Sequence, residues 1–558
     1  MNNEIVQIVF GLLGGLAIFI YGMNLMSEGL QKAAGERMRS ILAMLTRNPI
    51  IGVIAGALTT AVLQSSSATT VMVIGFVSAG LMTLPQAISI ILGANIGTTM
   101  TAQLIAFKIG DYIWPILVIG FILYFFFKKG QVKHVGQTIF AFGLLFLGIE
   151  TMSQVMKPLA SSPAFAEMML SVQNIPVLGV LLGTGMTVVI QSSSATIAVL
   201  QNLASQAGPD GVTSIIGLQG ALPILFGDNI GTTITALLAT VGASVNAKRT
   251  AIAHTIFNIT GTLVFIWFIP LFAKFVAFIS PKGAEIDVIA RQIANAHTSF
   301  NILNTLIWLP FIWVLVKIVT KILPGEETIA NDRIPMYLDN KMIHQPVFAI
   351  HLAAEELSRV AAFASTMIDD AKEAFLQGST KAIARVLETE DTVDLLQNAT
   401  ARYLASISTA AELTEQQAMR VRGLMHVASD IERIGDHCTN IAEFAQIKVE
   451  RKYNFSEEAI EELEDFFDRA KKMVVEAFEA LQRGDEHLAK LVMVQEDEMD
   501  ILEEVLRENH MVRLNQGTCS PELTVIYSDI IHNIERVGDH CDNIADAVLD
   551  DVNFVHEL

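Results

Sequence analysis

Two six-residue clusters in this chain have the composition of a ligand site: Gln64-Ser65-Ser66-Ser67-Ala68-Thr69 and Gln191-Ser192-Ser193-Ser194-Ala195-Thr196. Two glycine-flanked clusters accompany them, Gly93-Ala94-Asn95-Ile96-Gly97-Thr98-Thr99 and Gly227-Asp228-Asn229-Ile230-Gly231-Thr232-Thr233. Hydroxyls and carboxamides offer neutral oxygens, which suit a weakly held hard monovalent cation, and they also donate hydrogen bonds to an oxyanion. No Lys or Arg lies in any of the four clusters. An anion bound here must therefore be balanced by helix N-termini and by co-bound cations. The chemistry expected is symport of an oxyanion with Na⁺. Ser65, Ser66, Ser192 and Ser193 are the expected anion contacts. Gln64, Gln191, Asn95, Thr98, Asn229, Thr232 and Asp228 are the expected cation ligands or site-shaping residues. Asp228 is the acidic member of the set and stands where the first copy has Ala94. A carboxylate inside a membrane is a functional candidate, for a Na⁺ site or for carrying a proton. The glycines are expected to let the backbone unwind toward the ligand.

The elements that carry these clusters are apolar. The 558 residues divide into two charge regimes: residues 1–330 hold 16 basic and 12 acidic side chains, the remainder 21 and 45. Crossing a hydrocarbon core of roughly 30 Å takes about 20 helical residues, and the first part has runs of that length. Seven full crossings are expected, near 5–27, 84–107, 112–127, 134–150, 213–242, 250–280 and 294–322. The stretches 50–81 and 176–207 are interrupted near their middles by the serine clusters. Polar tips facing lipid would be costly, so each reads as a helical hairpin that enters and leaves on one side.

The clusters recur at offsets of 127 and 134, and Gly22, Met26 and Ser27 recur as Gly148, Met152 and Ser153 at 126. The jump fits an insertion around Gln206–Val212. Basic loops (Lys32, Arg37, Arg39 and Arg47; Lys128, Lys129 and Lys133; Lys248 and Arg249; Lys317 and Lys321) all fall on one side with seven crossings. That places the N-terminus outside and the C-terminus inside, and makes the repeats inverted, with a midplane site and alternating access. The echo Ala253-His254-Thr255-Ile256-Phe257-Asn258 and Ala296-His297-Thr298-Ser299-Phe300-Asn301 reads as helix packing.

The paired QSSSAT and GxNIGTT motifs resemble the type II sodium-phosphate cotransporter family in its bacterial form, over residues 5–322. The resemblance implies Na⁺-driven phosphate uptake, with both QSSS clusters at the substrate site. The choice of phosphate rests on the resemblance. No G-x-x-x-x-G-K-[ST] loop is present, which weighs against an ATP-driven pump, and nothing suggests an enzyme. A phosphate sensor, or a carrier of another oxyanion, is the alternative.

The acidic part contains its own duplication: the stretch from Ile431 to Glu443 recurs from Ile534 to Asp546 at an offset of 103. In each copy Glu and Asp lie one helical turn apart on one face, Glu432/Asp436 and Glu535/Asp539. Stacked oxygen ligands suit a hard divalent metal or metal cluster, with Glu388, Glu390, Asp391 and Asp394, or Glu496, Glu498 and Asp500, as possible partners. A salt-bridged face is the plainer reading, since Arg433 and Arg536 adjoin. Adjacent His-Cys pairs follow each Asp but project from different faces, which argues against zinc. The pattern resembles a PhoU-like domain, a fold of two three-helix bundles that binds metal clusters and regulates phosphate uptake.

The expected organisation is thus all-α: a polytopic membrane unit followed by a soluble helical domain. Repeat 1 spans 1–130 with its hairpin at 50–81, and inverted repeat 2 spans 131–282 with its hairpin at 176–207. A further helix at 283–323 and a linker at 324–340 lead to the cytoplasmic PhoU-like domain at 341–558. Three sparse cysteines (Cys438, Cys519, Cys541) fit a reducing compartment. The expected location is a bacterial inner membrane, with phosphate, sodium, the lipid bilayer and a cytoplasmic regulatory protein as partners. Net charge of −20 excludes nucleic acid.

Overall fold

A computed structural model describes residues 2–34, 48–78, 81–107, 112–127, 131–160, 163–208, 210, 212–241, 243–325, 333–410, 413–550 and 552. Arg37, Arg39, Arg47, Lys128 and Lys129 of the basic loops lie outside the described residues, as do parts of the 206–212 insertion and of the linker. The chain divides into two units, residues 1–327 and 328–557. Both are helical throughout.

The first unit opens with α1 (Asn2–Ala34), the hairpin arms α2 (Pro49–Leu63) and α3 (Ser66–Ser78), then α4 (Leu84–Ile105) and α5 (Ile113–Phe126). The second copy runs α6 (Gln131–Ala160), α7 (Pro163–Asn174), hairpin arms α8 (Pro176–Ile190) and α9 (Ser193–Ala204), then α10 (Gly217–Gly231) and α11 (Thr233–Ala239). Two broken helices close the unit. They are α12 (Val245–Phe265) with α13 (Ile269–Ile279), and α14 (Glu285–Trp308) with α15 (Ile312–Ile322).

Among the described residues six helical spans are long and apolar enough to cross a membrane: Val6–Ala33, Leu84–Ile105, Gln131–Lys157, Gly217–Ala239, Val245–Ile279 and Glu285–Ile322. The expected crossing at 112–127 is the exception, because α5 has 14 residues. At 1.5 Å per residue that is about 21 Å, short of the core thickness. Bulky side chains lie open along these helices, Trp267 at 81% and Phe278 at 80% exposure among them, as lipid contact requires.

α1 and α6 are the copies that carry the Gly-Met-Ser echo, and they pack antiparallel. Gly11 abuts Val155, Gly15 abuts Met152, Gly22 abuts Leu145 and Gly29 abuts Thr138, so one helix descends as the other climbs. Equivalent elements running in opposite directions are what inverted repeats require. Proline opens both first hairpin arms (Pro49, Pro176), where its missing N–H costs nothing.

The second unit is two three-helix bundles. α16 (Pro346–Gln377), α17 (Thr380–Ala410) and α18 (Glu415–Arg451) form one; α19 (Glu457–Arg483), α20 (Glu486–Asn515) and α21 (Leu523–Leu549) form the other. Each buries an apolar stripe at helical spacing, for example Leu463, Phe466, Phe467, Ala470, Met473 and Val474 on α19.

Candidate functional site

Each hairpin turns on its glutamine. Gln64 and Gln191 occupy the left-handed region, with φ of 51° and 58°, and so end α2 and α8 in one residue. The serines then restart the chain as α3 and α9. Ser65 Oγ accepts from the N–H of Ala68 at 3.1 Å, and Ser192 Oγ accepts from Ala195 at 3.3 Å. The N–H groups of Ser66, Ser67, Ser193 and Ser194 have no carbonyl four residues upstream within their own helices. Donors of this kind, at a helix start, are suited to an anion.

The tips are tied down by equivalent residues. Gln64 Nε2 donates to Ala61 O at 2.5 Å and Gln191 Nε2 to Val188 O at 2.8 Å. Gln64 Oε1 accepts from Thr101 at 2.7 Å, and Gln191 Oε1 from Thr235 at 3.3 Å. Across each hairpin a threonine pair closes the two arms, Thr60 to Thr69 at 2.8 Å and Thr187 to Thr196 at 3.0 Å. In the second copy Thr187 also donates to Asp228 Oδ1 at 2.6 Å. Thr60, Thr101, Thr187 and Thr235 escaped the sequence reading because they lie outside the motifs. Their signal was present all the same: Thr60/Thr187 and Thr101/Thr235 obey the repeat offsets.

One expectation is corrected. The glycines at 93 and 97 do not unwind the backbone, since α4 is helical throughout from Leu84 to Ile105, whereas in the second copy the helix is interrupted at Thr232, directly after Gly231. All four let helices touch. A Cβ at Gly93 would run into the carbonyl of Val53, one at Gly97 into Ala57, one at Gly227 into Val180 and one at Gly231 into Thr184. Gly56 and Gly183 on the facing arms do the same against Ile90 and Ile224. These are small-xxx-small seams that clamp α2 on α4 and α8 on α10.

The motif asparagines and threonines bond first to their own helices. Asn95 and Asn229 donate to Ile91 O and Leu225 O, while Thr98 and Thr232 donate to Ala94 O and Asp228 O. Asp228 is fully buried, and its Oδ2 has no partner among the described residues. The structure thus brings Gln64 and Gln191 to the tips with the serines, and stations Asp228 behind the second tip through Thr187.

In the second unit the four expected metal residues separate into different groups. Asp539 joins Glu496 and Asp500, with carboxylate oxygens all within 4.8 Å of one another, while Glu535 joins Glu503 and His532. Burial and the charges of Asp500, Asp542 and Asp539 raise Glu496 to about 7. Burial, Asp539 and Glu503 raise Glu535 as well. In the first bundle, burial and Asp436 raise Glu432, with Asp394 and Glu390 adding to it. Glu432 and Asp436 are in no three-residue group of that kind among the described residues. Of the other possible partners, Glu388 and Asp391 face Arg333, and Glu498 faces Arg469. Arg433 and Arg536 do pair with Asp436 and Asp539, so the salt-bridged reading and the metal reading share these residues. Cys438 and Cys541 are buried, and His437 stacks on His540 with ring centres 5.5 Å apart. The His-Cys pairs therefore serve the seam between the bundles.

A family model described as Na⁺/Pi-cotransporter matches residues 18–154 and again 153–280, and a PhoU domain model matches 357–445 and 463–548. The Bacillus subtilis protein "Uncharacterized protein YqeW" is 34% identical over 270 residues, 48% of this chain and 85% of that one. The Escherichia coli K12 protein "Putative inorganic phosphate export protein YjbB" is 24% identical over 542 residues, 97% of each chain. The human "Sodium-dependent phosphate transport protein 2B" is 37% identical over 103 residues, 18% of this chain and 15% of that one. The chain belongs to the Na⁺/Pi-cotransporter family, one of phosphate transporters rather than enzymes, and carries a PhoU domain.

Proposed function

We propose that this protein couples the movement of Na⁺ down its gradient to phosphate transport by alternating access in a bacterial inner membrane. The observation that carries the reading is the twice-built hairpin tip, in which a left-handed glutamine ends one arm and serines with spare N–H donors begin the next. Ser65, Ser66, Ser192 and Ser193 would hold phosphate together with those donors. Gln64, Gln191, Asn95, Thr98, Asn229, Thr232 and Asp228 would hold or shape the sodium sites, because they supply oxygens and no fixed positive charge. Sodium coupling is supported by the family description and by the human relative's name. The N-terminus would lie outside and residues 341–558 in the cytoplasm, where the PhoU domain regulates flux. A divalent metal would bind Glu496, Asp500 and Asp539, whose mutual repulsion a cation relieves.

With an inward Na⁺ gradient this coupling gives phosphate uptake. A second direction, export, is favoured by the name of the YjbB relative that matches nearly the whole chain. Proteoliposomes test both. Labelled phosphate should follow an imposed Na⁺ gradient of either sign, and the Gln64→Ala/Gln191→Ala double variant should lose that flux. Flux indifferent to Na⁺ but driven by a proton gradient would overturn sodium coupling, and phosphate binding without flux would make the protein a sensor. Competition by sulfate and arsenate tests the choice of oxyanion.

A further inference from the structure

Four asparagines of the first unit share one arrangement. Asn95, Asn229, Asn258 and Asn301 each donate the side-chain NH₂ to the carbonyl four residues back, at 2.8, 2.9, 3.1 and 3.0 Å. The opposite flip would set two oxygens against each other, so every Oδ1 points away from its own helix. All four residues are between 0% and 5% exposed. Among the described residues Oδ1 of Asn258 and of Asn301 has no hydrogen-bond partner. An unmatched buried acceptor is costly, and lipid supplies no water to relieve it.

The helices bearing these residues are placed by the same pseudo-symmetry as the hairpins. α12 breaks at Ile266–Phe268 and α14 at Leu309–Phe311, an offset of 43 that continues through the ends of α13 and α15. Thr262 donates to Phe226 O and Thr305 to Leu92 O, both at 3.3 Å, so each broken helix leans on one GxNIGTT helix in the same way. His254 Nε2 lies 3.5 Å from Asn95 Oδ1, and Asn258 follows one turn later on that face. In the other copy Phe300, beside Asn301, packs tilted against Phe226 with ring centres 4.8 Å apart, two residues before Asp228.

We propose that Asn258 and Asn301 are cation ligands. Asn258 acts with Asn95, and Asn301 acts with Asn229 and the free Oδ2 of Asp228. With each NH₂ turned back onto its own helix, the oxygen is the atom presented away from it, an arrangement that favours a hard monovalent cation over an oxyanion. The AHTxFN echo then belongs to the ion-coupling machinery rather than to helix packing. This inference rests on the sodium coupling proposed above and adds the ligands that coupling lacks.

The experiment is thermal unfolding of the full-length protein in detergent without phosphate, titrated with NaCl against choline chloride. Wild type should be stabilised by Na⁺. Asn258→Ala and Asn301→Ala should need about tenfold more Na⁺ for the same shift, roughly the loss of one good ligand. Asn258→Asp and Asn301→Asp keep the oxygen and should respond at or below the wild-type concentration. They carry the test if the alanine variants do not fold. Variants that respond to NaCl as wild type does would overturn the inference and leave sodium coupling standing. A wild type blind to NaCl would sink both.

Discussion

The two hairpins share a motif, a left-handed glutamine and a threonine clasp, yet they differ in how they are held. Gln64 is 7% exposed and bonded to Thr101 at 2.7 Å, whereas Gln191 is exposed and reaches Thr235 only at 3.3 Å. Ser27 of α1 caps the end of the first arm through Leu63 O at 2.6 Å. Its counterpart Ser153 is engaged by Gln206 instead. Behind the tips, the second copy has a buried carboxylate where the first has a methyl group. Val189 on α8 is 82% exposed. A duplicated pair is free to hold its copies in different states, and the alternating access proposed above would depend on such a difference, with one tip covered and the other open.

The largest effect should come from the residue that breaks the symmetry. Asp228→Asn keeps the shape but removes the ionisable oxygen pair that Thr187 holds. An intramembrane carboxylate has no neutral equivalent as a cation ligand, so Na⁺-driven phosphate flux should fall by about 100-fold. The counterpart Ala94→Val should cost far less, and equal losses in the two variants would break the comparison. Next comes the helix seam, where the copies are alike. Gly93→Ala and Gly227→Ala each place a methyl group against a backbone carbonyl that cannot rotate away. Each should lower the unfolding midpoint of the purified protein through about 1–3 kcal/mol of overpacking strain. A variant that unfolds like wild type would show that its seam is looser than drawn.

A smaller effect separates the tips themselves. Glycine accepts positive φ without strain, so Gln64→Gly and Gln191→Gly keep the turn and delete only the side-chain bonds. The buried bond to Thr101 should matter more than the exposed one to Thr235. We expect about a tenfold loss of flux at Gln64 against about twofold at Gln191, following the greater worth of a buried, shorter bond. The reverse order would mean that the open tip is the one that governs transport.

Sequence periodicity located both hairpins within a few residues, because a polar cluster inside an apolar run has one economical solution in lipid. It also disclosed the inversion, which the antiparallel α1 and α6 express directly. The role of the glycines was not legible. Unwinding and close packing both call for a missing Cβ, and only the positions of Val53 and Val180 separate them. The glutamine partners were hidden for another reason. Thr101 and Thr235 lie on a different helix, and a single threonine among many has no distinguishing type. α5 is shorter than the run of apolar residues around it, since hydropathy reads composition and is blind to where a helix stops.

The second unit repeats the lesson in water. Its bundles share the Glu-x-x-x-Asp motif, but the second one draws Glu496, Asp500 and Asp539 together. Glu496 has an unfolded-state value of 4.5 and is raised to about 7 by burial and its acidic neighbours. The folded state therefore binds more protons than the unfolded state between pH 4.5 and about 7. Stability without metal should fall as pH rises through that window and stay low above it. A divalent cation competes with those protons, so its stabilisation should grow over the same range. Calorimetry of the full-length protein, with chelator and then with Mg²⁺ or Mn²⁺, should show the soluble domain's transition moving in these opposite senses. Glu496→Gln with Asp500→Asn should flatten both trends. The matching first-bundle changes, Glu390→Gln with Asp394→Asn, should have a weaker effect, since Glu432 and Asp436 join no such cluster among the described residues. Equal effects from the two pairs would mean that both bundles hold metal alike.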